Sequence, residues 1–369
     1  MQRTLEIVVD AVSWAPKGVP PELKSLVGPR SVNVGIALIY TAIGTRPPTV
    51  RGFDLSDFWA YLRYAPAIAD RPELRLREEW ETVDPHQKTI LSDELGVGFT
   101  TQFVTEALDC SEFTDALYVI KVLKPGKFTL KGGAKRGPKK SPDYIARDGK
   151  GRYVVLECKG TQSSIDALWD AIERGKAQKK NMGPVGSTRI RHSLVAGLFI
   201  PQWSASEGPL ICISDPARED MERLLHGQPP ERVDQAITQI SLAKQLALAG
   251  FVEVPNYLAS SGVGGVSAVP EASRAEIERY GDSVANAFRL VFDTAGLRAE
   301  TPGDTSARAR LYVSTPASIL EQLRAGVPTS QVISELREKS SQPKWHTHAG
   351  DFSAELVTPL GFGFRLRLN

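Results

Sequence analysis

Runs of apolar residues predict two strands in the N-terminal part of the chain. The first run, at residues 4–12, is rich in β-branched residues, which favour a strand. The second run, at residues 32–43, is almost continuously apolar, and we interpret it as a buried strand. We assign residues 1–87 to an N-terminal α+β segment.

A central block of strands and helices follows, and we assign residues 88–254 to one α/β core. Apolar residues at helical spacing predict a helix of about four turns that begins at Ser92, as its N-cap, and ends near Leu108. Strand-like runs lie at residues 116–123, 143–147, 152–159, 193–200 and 210–214, and helical patterns lie at 164–180 and 233–249. This alternation predicts a central mixed sheet flanked by helices.

The remaining chain divides at a segment rich in Gly, Ser and Pro. Residues 255–273 have this composition and are the best candidate for a linker. Helical patterns then appear at residues 274–295, 316–324 and 328–339, with one terminal strand at 360–368. We therefore predict a mainly helical C-terminal domain over residues 274–369.

Composition narrows the class of protein only slightly. The 369-residue chain is 41% hydrophobic and has a net charge of +2, which is ordinary for a globular protein and neither requires nor excludes nucleic acid. Cys110, Cys158 and Cys212 form no CxxC pair, which argues against a disulfide scaffold or structural zinc and favours a reducing cytoplasm. The apolar runs are shorter than a membrane span and no secretory signal is visible, so we expect no membrane partner.

The distribution of charge is more informative than its sum. Residues 121–140 include eight basic residues and no acidic one. A basic segment can hold the phosphate backbone without recognising sequence, and such binding weakens as salt is added. The alternative is a solvated loop, the usual place for a run of charges. The candidates for phosphate contacts are Lys131, Lys135, Arg136, Lys139 and Lys140.

Two charged residues end the otherwise apolar strand at 152–159. Because side chains alternate along a strand, Glu157 and Lys159 project to the same face. Burying them is costly unless they pair, bind a metal or reach a cleft. A second carboxylate, Asp143, lies on the far side of a turn at residues 148–151.

The length of that turn decides whether the two carboxylates meet. A three-residue loop would place Asp143 opposite Glu157, on the same face of the hairpin. A loop of two or four residues would place it opposite Leu156 or Cys158, on the wrong face.

Asp143 and Glu157, with the backbone carbonyl of Cys158 and waters, would supply the hard oxygen ligands that Mg²⁺ prefers, and Mn²⁺ could replace it. Such a metal activates a bound water and polarises a phosphate, while Lys159 would orient the water, help to deprotonate it or stabilise the transition state. The residues therefore predict phosphodiester hydrolysis. The alternatives are a simple Glu157–Lys159 ion pair and an Asp143 that only serves a turn after Pro142.

The segment Ser141-Pro142-Asp143, the turn and the run Val154-Val155-Leu156-Glu157-Cys158-Lys159 resemble the PD-(D/E)xK nuclease superfamily. The resemblance implies a restriction-endonuclease-like fold and a Mg²⁺-dependent site of Asp143, Glu157 and Lys159. It also points to Glu94, on the helix before the sheet, although a carboxylate there could simply offset the helix dipole. On the helix after the ExK strand it points to Gln178, with Gln162 as the alternative.

By the same resemblance we expect a cytoplasmic endonuclease that cuts double-stranded DNA in restriction or anti-phage defence, with RNA as the other substrate considered. Cutting both strands with one site per chain would normally suggest a homodimer. Two rival hypotheses stay open: a catalytically inactive subunit that binds nucleic acid or assembles with others, and a nuclease that a partner defence protein or ligand activates. An Asp143 side chain turned away from Glu157 would favour the inactive subunit.

Overall fold

The computed structural model describes residues 1–49, 64–123, 142–179, 189–215, 228–263, 267–285, 288–293, 309–340, 345–350 and 353–368. Among the helices in these ranges, none combines the length and apolarity needed to cross a bilayer. Cys110, Cys158 and Cys212 are buried free thiols, in agreement with the expectation of no disulfide.

A seven-stranded mixed sheet forms the centre of the molecule, as the predicted α/β class requires. Its strand order is β2-β1-β7-β6-β5-β4-β3; the β1–β7 and β5–β6 pairs are parallel and the other pairs antiparallel. The strands are β1 (Gln2–Val9), β2 (Gly28–Asn33), β3 (Cys110–Asp115), β4 (Tyr144–Asp148), β5 (Tyr153–Thr161), β6 (Ile190–Phe199) and β7 (Leu210–Ser214).

Helices cover both faces of this sheet, which explains why its inner strands are apolar on both sides. The helices described are α1 (Pro21–Lys24), α2 (Val34–Thr45), α3 (Pro85–Ala107), α4 (Ala116–Leu123), α5 (Ile165–Lys179), α6 (Pro230–Leu248), α7 (Glu253–Ser260), α8 (Glu271–Val284), α9 (Ala317–Arg324) and α10 (Thr329–Lys339). On one face α3 packs against β5 and α2 packs against α3, and Val154, Leu156 and Cys158 of β5 belong to the apolar core on this side. On the other face α5 packs against Val195 and Phe199 of β6. Helix α5 is also the crossover that the parallel β5–β6 pair needs.

The apolar run at residues 32–43 was predicted to be a strand and is instead the end of β2 followed by α2. Asn33 caps this helix, because its side chain accepts a hydrogen bond from the Ile36 N–H at 3.1 Å. Helix α2 is buried all round, so its sequence lacks the polar stripe that marks an amphipathic helix. A continuous apolar run of this kind fits either element.

Two further boundaries differ from the prediction. Residues 116–123 are α4, not a strand; Ala116, Val119, Ile120 and Leu123 recur at helical spacing and are buried, and the strand in this region is β3 just before them. Helix α3 begins at Pro85, not at Ser92. Its N-cap is Asp84, whose side chain accepts from the His86 N–H at 2.9 Å.

The C-terminal part is not mainly helical. It carries a five-stranded antiparallel sheet in the order β10-β11-β12-β9-β8, formed by β8 (Arg289–Asp293), β9 (Ala309–Ser314), β10 (His346–Ala349), β11 (Ser353–Val357) and β12 (Gly363–Leu368). The predicted linker at 255–273 contains most of α7 and the start of α8, and Leu258 within it is buried. The helix predicted at 274–295 ends at Val284, before β8.

One apolar core joins segments from the whole length of the chain. Leu5 of β1, Ile36 of α2, Phe99 of α3, Leu242 of α6 and Leu356 of β11 belong to a single cluster of buried side chains. Segments 1–87 and 274–369 therefore share their core with the central block.

Candidate active site

The β4–β5 hairpin has the three-residue loop that was one of the sequence alternatives. Tyr144 lies opposite Leu156, and the Asp148 N–H donates to the Arg152 carbonyl at 2.8 Å. Gly151 adopts φ +71°, a conformation that favours glycine, and its N–H donates to the Asp148 carbonyl at 2.9 Å. Continued by one residue, this register places Asp143 opposite Glu157.

Asp143 lies just before β4 begins, and its side chain extends the hydrogen-bond ladder. The Cys158 N–H donates to Asp143 Oδ2 at 2.8 Å, and the Ala116 N–H donates to the Asp143 carbonyl at 3.1 Å. In an antiparallel pair the N–H and C=O of one residue point to the same neighbour, so the Cys158 carbonyl also points toward the Asp143 side of β5. The Cys158 side chain lies on the α3 face, where its sulfur accepts from Thr100 Oγ1 at 3.3 Å.

Glu157 and Lys159 form a close ion pair on the opposite face of β5. Lys159 Nζ donates to Glu157 Oε1 at 2.6 Å, and the Glu157 side chain is only 9% exposed. Burial acts to lower the pKa of Lys159, but the neighbouring Glu157 and Asp143 carboxylates raise it above its ordinary value. Lys159 is therefore an ammonium ion at neutral pH.

Asp143 lies in an unusual electrostatic environment. Burial raises the pKa of its carboxyl to about 7, and the negative charge of Glu157 acts in the same direction. The Cys158 N–H and the Lys159 ammonium oppose this rise but do not cancel it. Two carboxylates are thus brought together with one cation beside them.

Two glycines let α3 approach the end of β5 at backbone distance. A Cβ atom on Gly160 would lie 1.7 Å from the Ser92 carbonyl oxygen, and one on Gly96 would lie 2.3 Å from the Lys159 carbonyl oxygen. Any side chain at either position would push the helix away from the strand. The Gly after the ExK motif therefore decides how close Glu94 comes to Lys159.

A cleft of about 520 Å³ opens between α3 and α5 over this part of the hairpin. Asp143, Lys159 and Glu94 line it together, and Tyr64 donates a hydrogen bond to Glu94 Oε2. The other lining residues are Thr89, Asp93, Val97, Tyr144, Cys158, Gly160, Ala171 and Arg174.

Two of the charged residues that line the cleft were not singled out from the sequence as site residues. Asp93 adjoins Glu94 on α3 and faces the same cleft, and Arg174 enters it from α5. Arg174 is a basic residue on the helix after the ExK strand, one of the two residue types that the superfamily resemblance suggests there. That signal could have identified Arg174 alongside Gln178.

The other residues predicted for the site lie elsewhere or cannot be placed. Gln162 Nε2 donates to the Lys88 carbonyl at 2.5 Å, so its amide joins a loop to α3. Gln178 belongs to α5, but its side chain is outside the described residues. The basic candidates, Lys131, Lys135, Arg136, Lys139 and Lys140, also lie outside the described residues.

The cleft offers oxygen ligands of more than one kind. In the part of the chain that the structure describes, no three His, Cys, Asp or Glu side chains are grouped so as to hold a metal ion. The donors at the end of β5 are instead two carboxylates, from Asp143 and Glu157, and the Cys158 carbonyl.

Comparisons of the chain with protein-family models, curated proteins and solved structures found no match. Function is therefore inferred from the sequence motif, the fold and the cleft. Together they define an α/β protein with paired carboxylates and a lysine at the end of an inner strand.

Proposed function

We propose that this protein is a Mg²⁺-dependent nuclease that hydrolyses phosphodiester bonds with Asp143, Glu157 and Lys159. The observation that carries the proposal is the hydrogen bond from the Cys158 N–H to the Asp143 carboxylate. It holds Asp143 beside the Glu157–Lys159 pair, at a cleft open to solvent. An Asp143 side chain turned away from Glu157 would have favoured an inactive subunit.

The order of elements supports the restriction-endonuclease-like fold that the resemblance implies. Helix α3 carries Glu94 and is followed by β3, by the β4–β5 hairpin with its PD and ExK residues, by α5 and by β6 parallel to β5. Glu94 therefore reaches the same cleft as Asp143 and Lys159, as the resemblance suggests.

The residues present fit a divalent magnesium or manganese ion. The raised pKa of Asp143 reflects the cost of burying its negative charge and, in addition, of placing that charge near Glu157, and a cation would lower both costs. Asp143, Glu157 and the Cys158 carbonyl would hold it, and all three offer the hard oxygen atoms that Mg²⁺ prefers. When bound, such an ion supplies an acidified water and a Lewis acid at the scissile phosphate.

Lys159 has a narrower role than the sequence suggested. Its raised pKa keeps it protonated, so it can orient the attacking water and stabilise negative charge on the phosphate, but it is a poor proton acceptor. Water attacks phosphorus, the bond to the leaving sugar oxygen breaks, and the proton released by the water is taken up by that oxygen. Arg174 would hold a non-bridging phosphate oxygen at the mouth of the cleft.

A purely structural ion pair explains the site less well. A Glu157–Lys159 pair as buried as this one loses hydration when the chain folds, and the attraction between the two charges barely offsets that loss. The pair is therefore weak evidence for a stabilising role. A structural role for the pair would also leave unexplained why Asp143 brings a second carboxylate beside it.

Double-stranded DNA is the proposed substrate, and restriction or anti-phage defence the proposed setting. Both follow from the superfamily resemblance, as does a homodimer for cutting both strands. RNA is the other substrate to be tested, and a partner defence protein or ligand is the proposed activator if the isolated chain is inert.

The test is cleavage of supercoiled plasmid DNA with Mg²⁺, Mn²⁺ or EDTA. We expect metal-dependent nicking or linearisation that falls at least ~100-fold in both Asp143→Asn and Lys159→Met, because each removes charge from the reacting centre without removing bulk. Lys150→Met is the matched control, since Lys150 is an exposed lysine of the same hairpin.

Equal cleavage by wild type, Asp143→Asn and Lys159→Met would reject the site. If the folded wild type binds the plasmid but never cuts it, the inactive-subunit hypothesis gains. Cutting that appears only with cell extract or an added ligand would indicate an activated nuclease.

A further inference from the structure

A lysine is fully buried behind the candidate active site. Lys244 lies about one turn before the C-terminal end of α6 and is buried. Burying an ammonium ion costs several kcal/mol unless partners replace its water. Its partners therefore indicate what the lysine does.

The Lys244 ammonium joins three elements. It donates to the Asp115 carboxylate at the end of β3 and to the Gly44 carbonyl near the end of α2, the latter at 2.7 Å. It also lies 5.5 Å from the centre of the Tyr144 ring, and the Tyr144 hydroxyl donates to the same Gly44 carbonyl at 3.1 Å.

Two of these partners, Tyr144 and Asp115, lie next to Asp143. Tyr144 is the next residue in the chain, and Asp115 is its partner across the β3–β4 ladder. Ala116, next to Asp115, donates the N–H that binds the Asp143 carbonyl at 3.1 Å. The contacts of Lys244 therefore end on the two backbone segments that hold Asp143 in place.

We propose that Lys244 is a positioning residue for the active site: by tying Asp115 and Gly44 together behind Tyr144, it holds the main chain at Asp143 so that the Asp143 carboxylate meets the Cys158 N–H. The consequence for catalysis rests on the proposed nuclease function. The positioning itself can be measured without it.

The same two strands provide a matched control. Arg147 and Glu112 form a second buried ion pair across β3 and β4, with side chains 7% and 1% exposed, at the end of the hairpin remote from Asp143. Arg147→Met and Lys244→Met each remove one buried cation and leave a carboxylate behind. A general loss of stability should affect both variants, whereas a displaced Asp143 should appear only in Lys244→Met.

The experiment uses selective ¹⁵N-cysteine labelling of the full chain. Cys110, Cys158 and Cys212 are the only cysteines, so the spectrum has three amide signals, and the Cys158 amide is the donor to Asp143. Cys110 lies opposite Asp148 near Arg147, and Cys212 lies on β7. Substituting each cysteine by serine assigns its signal.

We expect Lys244→Met to shift the Cys158 signal and to speed its hydrogen exchange by about tenfold or more, with Cys212 unchanged. Arg147→Met should move Cys110 and leave Cys158 in place. The proposal is overturned if Cys158 keeps its wild-type shift and exchange rate in Lys244→Met, or if Arg147→Met changes it equally.

If Lys244→Met does not fold, the double variant Lys244→Met with Asp115→Asn removes both charges and avoids a buried unpaired carboxylate. The Cys158 signal should still change, because a methionine side chain has no N–H groups to donate to both Gly44 and residue 115. An unchanged Cys158 signal there would also overturn the proposal.

Plasmid cleavage then tests the consequence for catalysis. A small misplacement of a catalytic group can cost up to ~100-fold in rate, so we expect Lys244→Met to cut at least tenfold more slowly than Arg147→Met at equal folded fraction. A wild type that does not cut, alone or with cell extract, would reject the nuclease, while the Cys158 signal would still decide the positioning role. Equal cleavage by the two variants would overturn the catalytic consequence.

Discussion

Asp143 is the residue whose ionisation should be visible in the stability of the whole protein. Its pKa is raised to about 7 in the folded state by burial and by the negative charge of Glu157. Between the ordinary carboxyl pKa and about 7, the folded protein therefore binds more protons at this site than the unfolded chain. By linkage, the contribution of Asp143 to the free energy of unfolding falls as pH rises through that window.

This pH dependence predicts how Asp143→Asn changes the stability of the metal-free protein. Asn can still accept the Cys158 N–H but carries no charge, so the stability advantage of the variant over the wild type should be larger at pH 8 than at pH 4.5. Relief of about 1 kcal/mol corresponds to a rise in Tm of roughly 2 °C in a chain of this size. Melting curves in EDTA at both pH values test it; an advantage that is no larger at pH 8 than at pH 4.5 would contradict the assigned environment.

The same carboxylates give a second expected property of the site, which is stabilisation of the folded protein by a divalent ion. A divalent ion that binds Asp143 and Glu157 stabilises only the folded state, so added Mn²⁺ should raise Tm with increasing concentration. The rise should be absent in Asp143→Asn and kept in Lys150→Met. Equal shifts in all three proteins would place the bound ion elsewhere.

At the scale of elements, the cleft depends on how closely α3 lies against β5. The absence of side chains at Gly96 and Gly160 lets the main chains of α3 and β5 meet, and this contact brings Glu94 to the cleft that Lys159 also lines. The close approach continues on the other side of α3, where a Cβ on Gly98 would lie 1.9 Å from Thr41 Oγ1 of α2. Helices α2 and α3 and strand β5 are thus stacked with little space between them.

One methyl group added at Gly160 should push α3 and β5 apart. Gly160→Ala would place its Cβ against the Ser92 carbonyl, a backbone atom that cannot turn away, and should cost about 1–3 kcal/mol or more. Cleavage by the proposed site should fall with it. Gly208→Ala is the control, because no atom lies within 4 Å of its added Cβ and its φ is ordinary. Chemical denaturation compares the two; equal stability would show that α3 can move at no cost.

At the scale of the whole molecule, the C-terminal sheet packs against the same apolar core as β1. A Cβ on Gly35 of α2 would lie 2.6 Å from the Ala354 Cβ of β11, so helix and strand are in close contact. Ser340, at the end of α10, bonds both Glu112 and Arg147, at 2.9 Å each. Trp345 Nε1 donates to the Cys110 carbonyl at 2.7 Å. The residues after 274 thus complete the environment of β3 and α2.

A chain that ends at residue 254 should therefore not fold as an independent unit. It would expose the apolar surface of α2 and leave Glu112 and Arg147 without Ser340. We expect no cooperative thermal transition and strong binding of a hydrophobic dye, where the full chain shows one sharp transition. A cooperative melt of residues 1–254 would mean that the central block is autonomous, as the sequence had suggested.

Several features could be predicted from the sequence because they depend on neighbours along the chain. The β4–β5 hairpin follows from turn residues between two apolar runs, and its loop length restricts Asp143 to a few registers. Strands β6 and β7 and helices α5 and α6 carry clear local patterns and lie close to where they were predicted. The grouping of Asp143, Glu157 and Lys159 was predicted because the three belong to one hairpin.

Tertiary packing decided the secondary structure of segments whose sequence pattern fits more than one element. The apolar residues of α2 fit strand or helix equally, and only packing on several sides selected the helix. The pairing of Lys244 with Asp115 and Gly44, and the meeting of Gly160 with Ser92, join residues far apart in the chain. Such contacts arise from burial and close packing, which act through space, whereas a hairpin is set by hydrogen bonds and turn geometry within a few residues.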